Sequence, residues 1–253
     1  MSSPPVPDNP GTRRLTWPRL VGLLVVFALL PSFIDVFVLN ARAEFTFPDQ
    51  KSVTDHLIGA GIGMAVAVLA VTWLRWWPAV VHERHRTRSW VWIVPGSFLL
   101  VSIGLLDYSR AAQAGALLAA TLLATVSCIA IGEELLFRGI ALTFLRSRYR
   151  ETVAAVVSSL LFGLIHFPAG PVQVVFSMVF GYLLYLTRRV SGGILLPIVV
   201  HAAWDFSVFT SFTTANPGKS NASVALALLS VVLLVVTLVA HKRIDPARAL
   251  QTK

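Results

Sequence analysis

The chain has 253 residues, of which 56% are hydrophobic and only 13% charged, and its formal net charge is +9. A soluble domain carries about 25% charged residues, so this composition, with a mean hydropathy of +0.74, excludes an ordinary soluble fold. Apolar runs of the roughly 20 residues that cross a bilayer as a helix recur along the whole length, rather than the ~10-residue alternating segments of a β-barrel. The predicted fold is an all-α, polytopic membrane helical bundle of about eight transmembrane helices. The positive charge does not point to nucleic acid, because the arginines fall at the ends of apolar runs, where they set topology.

Residues 1–17 are rich in Pro and polar residues and read as a disordered tail. The first predicted span runs from about Leu20 to Leu39, with Pro31 and Asp35 marking a kink or an early exit. No small-residue cleavage site follows it, so it reads as a retained helix rather than a signal peptide. The second span, His56 to Leu74, opens with Gly59, Gly61 and Gly63, which permit close helix packing. Trp73, Trp76 and Trp77 then read as an interfacial belt, and His82 to Arg88 as a solvated basic loop. The third span covers Trp90 to Leu106, and a long fourth helix Ala114 to Leu145. The fifth runs from Val153 to Phe167, the sixth from Val172 to Leu186, the seventh from Ile194 to Phe212 and the eighth from Ser223 to Ala240. Helices 1–3 thus occupy 18–110, a core of helices 4–7 occupies 111–213, and helix 8 with a basic tail occupies 214–253. The only cysteine, Cys128, lies in an apolar run and reads as a small packing residue.

An even number of spans puts both termini on one side. With Arg138 set aside, 16 Lys and Arg then share the terminal side and 4 lie opposite. The positive-inside rule makes the terminal side cytoplasmic, so the chain is expected in the cell membrane with both termini inside.

Within the fourth apolar run stand Glu133, Glu134 and Arg138. Ionisable groups at membrane depth cost roughly 2.5–3.5 kcal/mol each on insertion scales and therefore mark sites. Glu134 and Arg138, at i,i+4, share a helix face and can pair. Glu133 points about 100° away with no local partner, which suits a carboxylate of raised pKa acting as a base. His166 follows at the end of the fifth helix, and His201 and Asp205 form a second i,i+4 pair on the seventh. Taking 1.5 Å per residue, Glu133, His166 and His201 lie about 20, 22 and 18 Å from the basic or acidic ends of their helices. A shared polar pocket near mid-bilayer is the economical explanation. Its available chemistry is activation of a water molecule by Glu133, helped by His166, for attack on a carbonyl. His201 and Asp205 would stabilise the oxyanion or ligate a metal such as zinc. No nucleophile motif and no His-Glu-x-x-His signature is present.

In order and spacing, Glu133-Glu134-x-x-x-Arg138, Phe162-x-x-x-His166 and His201-x-x-x-Asp205 resemble the motifs of the CPBP family, the CAAX proteases and bacteriocin-processing enzymes also called Abi. The resemblance covers about Ala114 to Phe212 and implies a bacterial intramembrane endopeptidase, a hydrolase similar to CAAX prenyl protease 2, acting on a membrane-associated protein or peptide. It implies catalytic roles for Glu133, Glu134, Arg138, His166, His201 and Asp205. If a divalent metal is used, the resemblance implies Glu133, His166, His201 and Asp205 as the residues that would ligate it; a metal-free mechanism is the alternative. The last motif position often holds Asn in the eukaryotic branch, and an ionised Asp205 cannot donate to an oxyanion, so here it would be protonated, orient His201 or bind metal. Two other classes fit the same residues: a non-catalytic membrane scaffold or bacteriocin self-immunity protein, and a proton-coupled transporter.

Overall fold

A computed structural model describes residues 12–39, 47–213 and 221–245. Helix α1 covers Trp17–Phe33 and continues as a π-helix over Ile34–Val38 beyond its internal Pro31. Helix α2 covers Gln50–Leu74, entered through a capping box in which the Asp49 carboxylate accepts from the Ser52 amide at 2.8 Å. It ends where Arg75 takes a left-handed φ of 59°. A short α3, Trp77–Val81, precedes the loop to α4, Ile93–Gly104. Helix α5, Tyr108–Ala114, is capped by Asp107 and stops at Gly115, whose φ of 83° suits glycine. Helix α6, Ala116–Glu134, passes through a π-helical turn, Leu135–Ala141, into α7, Leu142–Arg146. Then come α8, Glu151–Leu164, α9, Pro171–Ser191, α10, Leu195–Phe209, and α11, Asn221–Val239.

Every predicted apolar run is therefore helical, and the chain is an all-α polytopic bundle. Among the described residues, five helices are long and apolar enough to cross a membrane, or six if the bent pair Ser89–Gly104 and Tyr108–Ala114 forms one span. Trp17–Phe33 and Glu151–Leu164 are apolar but shorter. Of the tail expected over residues 1–17, residues 1–11 lie outside the described residues, whereas the rest is held against the bundle: Arg13 N donates to Leu74 O, Leu15 is buried and Trp17 begins α1. Most of the connection between Thr213 and Asn221 also lies outside the described residues.

The small residues of α2 receive α1. A β-carbon on Gly59 would overlap the Asp35 carboxylate, and one on Gly63 would sit 3.4 Å from Pro31. The α2–α6 contact brings backbone against backbone: a β-carbon on Gly132 would lie 3.1 Å from the Met64 backbone. Gln50 Nε2 donates to Thr121 Oγ1 at 2.9 Å. With Gln50 beside Thr121 and Met64 beside Gly132, the two helices run parallel. Glu133 is thereby held one residue beyond that backbone approach.

Several contacts gather distant segments at one end of the bundle. Arg13 N donates to Leu74 O, Arg148 Nη2 to Leu15 O, Arg88 N to Ile244 O and Trp90 Nε1 to Arg243 O. At the opposite end Phe47 N donates to Phe212 O and Arg110 Nη1 to Ser211 O.

The tryptophans, the loop after α3 and the sixth helix differ from expectation. Trp76 is 3% exposed and packs in the core, whereas Trp73 and Trp77 are exposed as a belt would be. The loop after α3 is not wholly solvated, since Glu83 is 5% exposed. The sixth run does not end before its arginines: α9 continues to Ser191 and buries Arg188 and Arg189, closing at Gly192 with φ 82°.

Candidate active site

Glu133 and Glu134 close α6, and Arg138 lies in the π-helical turn that follows. Such turns, with one more residue per hydrogen-bonded ring than an α-helix, recur at functional sites. Glu134 and Arg138 are almost fully buried, and Arg138 Nη1 donates to Glu134 Oε1 at 2.8 Å. The same oxygen lies 3.1 Å from His201 Nδ1. The anticipated i,i+4 pair thus exists, but it is a triad in which one carboxylate oxygen joins a guanidinium on its own helix to an imidazole on α10. Two charge-assisted contacts offset part of the cost of burying that carboxylate.

The other ring nitrogen of His201 faces two acids. Nε2 is 3.7 Å from Glu133 Oε2 and 3.5 Å from Asp205 Oδ2. His201 is therefore flanked by carboxylates at both nitrogens. Aromatic edges wall in its ring, with Phe180 at 5.4 Å and Phe162 at 5.9 Å between centroids.

His166 sits just past the end of α8, not within it as expected, because the backbone leaves the helix after Leu164 and forms a 3-10 turn over Phe167–Ala169. Its Nδ1 is 2.8 Å from the Phe162 carbonyl. A carbonyl only accepts, so Nδ1 carries a proton and Nε2 is the ring nitrogen left to act as an acceptor. The ring meets Phe162 edge-on at 5.0 Å, while the Arg138 guanidinium lies over the same phenyl ring at 4.1 Å. The structure thus gathers Glu133, Glu134, Arg138, His201 and Asp205 into one ion-pair cluster. His166 joins it through Phe162 rather than by a polar contact.

Three polar atoms of this cluster, Glu133 Oε2, Glu134 Oε2 and Arg138 Nη2, are buried without a hydrogen-bond partner. Leaving such an atom unpaired costs about 1–3 kcal/mol. Their concentration at one spot points to a place made for a polar guest.

The four-residue ligand set anticipated for a metal is not assembled. Among the described residues no group of three or more His, Cys, Asp and Glu side chains is placed to hold a metal ion. As arranged, the described residues do not fit that group.

The sequence reading missed a second polar cluster beside the first. Glu83 Oε2 accepts from Arg146 Nη1 at 2.8 Å and from Arg188 Nε at 3.0 Å, and Glu83 Oε1 accepts from the His85 amide at 2.7 Å. Burial alone would raise the Glu83 pKa, but the His85 hydrogen bond and the charges of Arg146 and Arg188 outweigh it and hold the carboxyl well below its usual range. Glu83 and Arg188 are 105 positions apart, so no local spacing could have announced the pair.

Residues 115–207 match the family model of the type II CAAX prenyl endopeptidase Rce1-like proteins. The matched segment contains all three motifs, and the resemblance carried by those motifs holds over that part of the chain. None of the curated proteins compared matches the chain. At the level of class, then, this is a multi-pass membrane protein in which residues 115–207, the stretch that holds the three motifs, are similar to the type II CAAX prenyl endopeptidase family.

Proposed function

We propose that the protein is an intramembrane endopeptidase that hydrolyses a peptide bond of a membrane-associated protein or peptide, with water activated by Glu133. The observation that carries this reading is the setting of Glu133: a buried carboxylate oxygen with no hydrogen-bond partner, 3.7 Å from a histidine that is itself pinned by Glu134. A water bound at Glu133 would lose a proton to the carboxylate as its oxygen attacks the scissile carbonyl. The oxyanion so formed would be met by the Nε2–H of His201, whose ring Glu134 and Asp205 orient. Collapse would break the C–N bond, and the proton on Glu133 would pass to the departing amine. His166, its Nε2 left as the acceptor, is the second group available to take up or return a proton. Asp205, 3.5 Å from Nε2, acts in this scheme through His201, which removes any need for an aspartate to donate to the oxyanion. By the positive-inside rule, the basic residues at the end of the bundle shared by the Arg13 and Arg243 segments support a cytoplasmic location for that end.

The test is a comparison of peptide termini in membranes from cells producing wild type or Glu133→Gln at equal levels. New termini that require Glu133 establish proteolysis and identify substrates. A wild-type phenotype that persists in Glu133→Gln with no changed terminus overturns the enzyme reading.

A further inference from the structure

We propose that Arg188, held by Glu83, is a positioning residue for the Glu133–Arg138 segment: it fixes the π-helical turn and, through Arg138 and Glu134, the orientation of His201. This rests on the active-site reading above and adds a residue pair that lies outside all three motifs.

The Arg188 side chain is 1% exposed, which is costly for a cation and demands that its donors be used. Four contacts use them. Nε donates to Glu83 Oε2, Nη2 donates to the carbonyls of Ala79 at 3.0 Å and His82 at 3.2 Å, and Nη1 donates to the carbonyl of Arg138. The first three tie the guanidinium to the end of α3 and the loop beyond it. The fourth reaches into the π-helical turn, at the motif arginine itself.

Arg138 is thus grasped twice. Its backbone oxygen is bound by Arg188, and its guanidinium is bound by Glu134 and lies on Phe162. Glu134 in turn holds His201 Nδ1. The path from Glu83 to His201 therefore runs through direct bonds and one residue's own covalent frame. A rigid abutment supports it: a β-carbon on Gly139, next to Arg138, would sit 2.8 Å from Val80 Cγ1, so α3 lies directly against the turn. A π-helical turn lacks the regular i to i−4 ladder, so an external donor to its carbonyl has more influence on its geometry than in an unbroken helix. Arg189, one residue on, provides the contrast. It is also buried, but it binds the carbonyls of His85 and Arg86, Tyr185 and Asp245, with no contact to the motif.

The experiment uses the full chain in lipid nanodiscs and three variants, Arg188→Lys, Glu83→Gln and Arg189→Gln. Lysine keeps the charge beside Glu83 but cannot span the four acceptors that a planar fork reaches. Two readouts are taken: hydrolysis of a prenylated CAAX peptide, and the nitrogen-15 side-chain resonances of His201, assigned by their loss in His201→Gln. Arg188→Lys is expected to lower kcat about 100-fold, as misplacement by about 1 Å does, with KM within about twofold and with His201 resonances displaced. Glu83→Gln is expected to do the same more weakly. Arg189→Gln, matched for lost burial, is expected to leave both readouts as in wild type. If Arg188→Lys fails to fold, Glu83→Gln carries the test. His201 resonances and kcat unchanged in a folded Arg188→Lys or Glu83→Gln protein overturn the proposal. If wild type cleaves nothing, the enzyme reading is in question, yet the resonances still decide whether Arg188 positions His201.

Discussion

Glu134 is the residue on which the site turns. Its Oε1 serves both Arg138 and His201, while its side chain has no exposure at all. Removing its charge leaves a buried guanidinium without a counter-ion, and breaking a buried pair in this way costs about 3–5 kcal/mol. Glu134→Gln is expected to lower the thermal unfolding midpoint in detergent markedly. Glu133→Gln, whose partner distances are longer, is expected to shift it little while abolishing cleavage. Thermal unfolding of the two purified variants, read side by side with cleavage, separates the holding acid from the reacting one. Equal thermal shifts would contradict this division of labour. The paired carboxylates, the arginine four residues on and the two histidines were all legible as residues. Which glutamate bonds which histidine was not, because that choice depends on how α10 is rotated against α6.

At the scale of elements, α6 meets the backbone of α2 closely at Gly132 and Met64, directly before the motif glutamates. Gly132 is a packing glycine, not a flexible one, since the helix passes through it unbroken. Its replacement by alanine forces the helices apart or the Met64 backbone aside, and overpacking of this kind costs about 1–3 kcal/mol. Because Glu133 follows directly, Gly132→Ala is expected to reduce cleavage more than Gly61→Ala, where a β-carbon meets open space. Cleavage rates of the two variants at equal folded amount check this. The helices themselves were readable from hydrophobic runs and from Gly and Pro punctuation. The π-helical turn at Leu135–Ala141 was not, since its residues, Leu, Phe, Ile and Ala among them, suit an ordinary α-helix equally well. Its geometry reflects packing against α2, α3 and α8 rather than any local preference.

Across the whole molecule, the Glu83 cluster clasps the loop after α3, the α7–α8 junction and the end of α9. Because the folded-state pKa of Glu83 is depressed below its ordinary 4.5, its stabilising contribution is fully present above that pH. It is lost as pH falls through 4.5 toward the folded value. Thermal stability of the detergent-solubilised protein is therefore expected to fall between about pH 5 and pH 3, and Glu83→Gln is expected to flatten that decline from a lower starting midpoint. An acid limb of equal steepness in wild type and variant would show that other groups govern it.

The sequence by itself determined the membrane class, the helical runs, the sharing of basic residues between two ends and the residues from which a site is built. These follow from composition, from a period of 3.6 and from the high cost of charge in lipid, all of which act locally. Only the tertiary structure decided that His201 lies between Glu134 and the pair Glu133 and Asp205, that His166 reaches the cluster through Phe162, and that Arg188 grips the motif from outside. The contacts between helices among these join segments tens of residues apart, and their partners are chosen by helix rotation, depth and close packing at glycine, none of which is written in any single stretch of the chain.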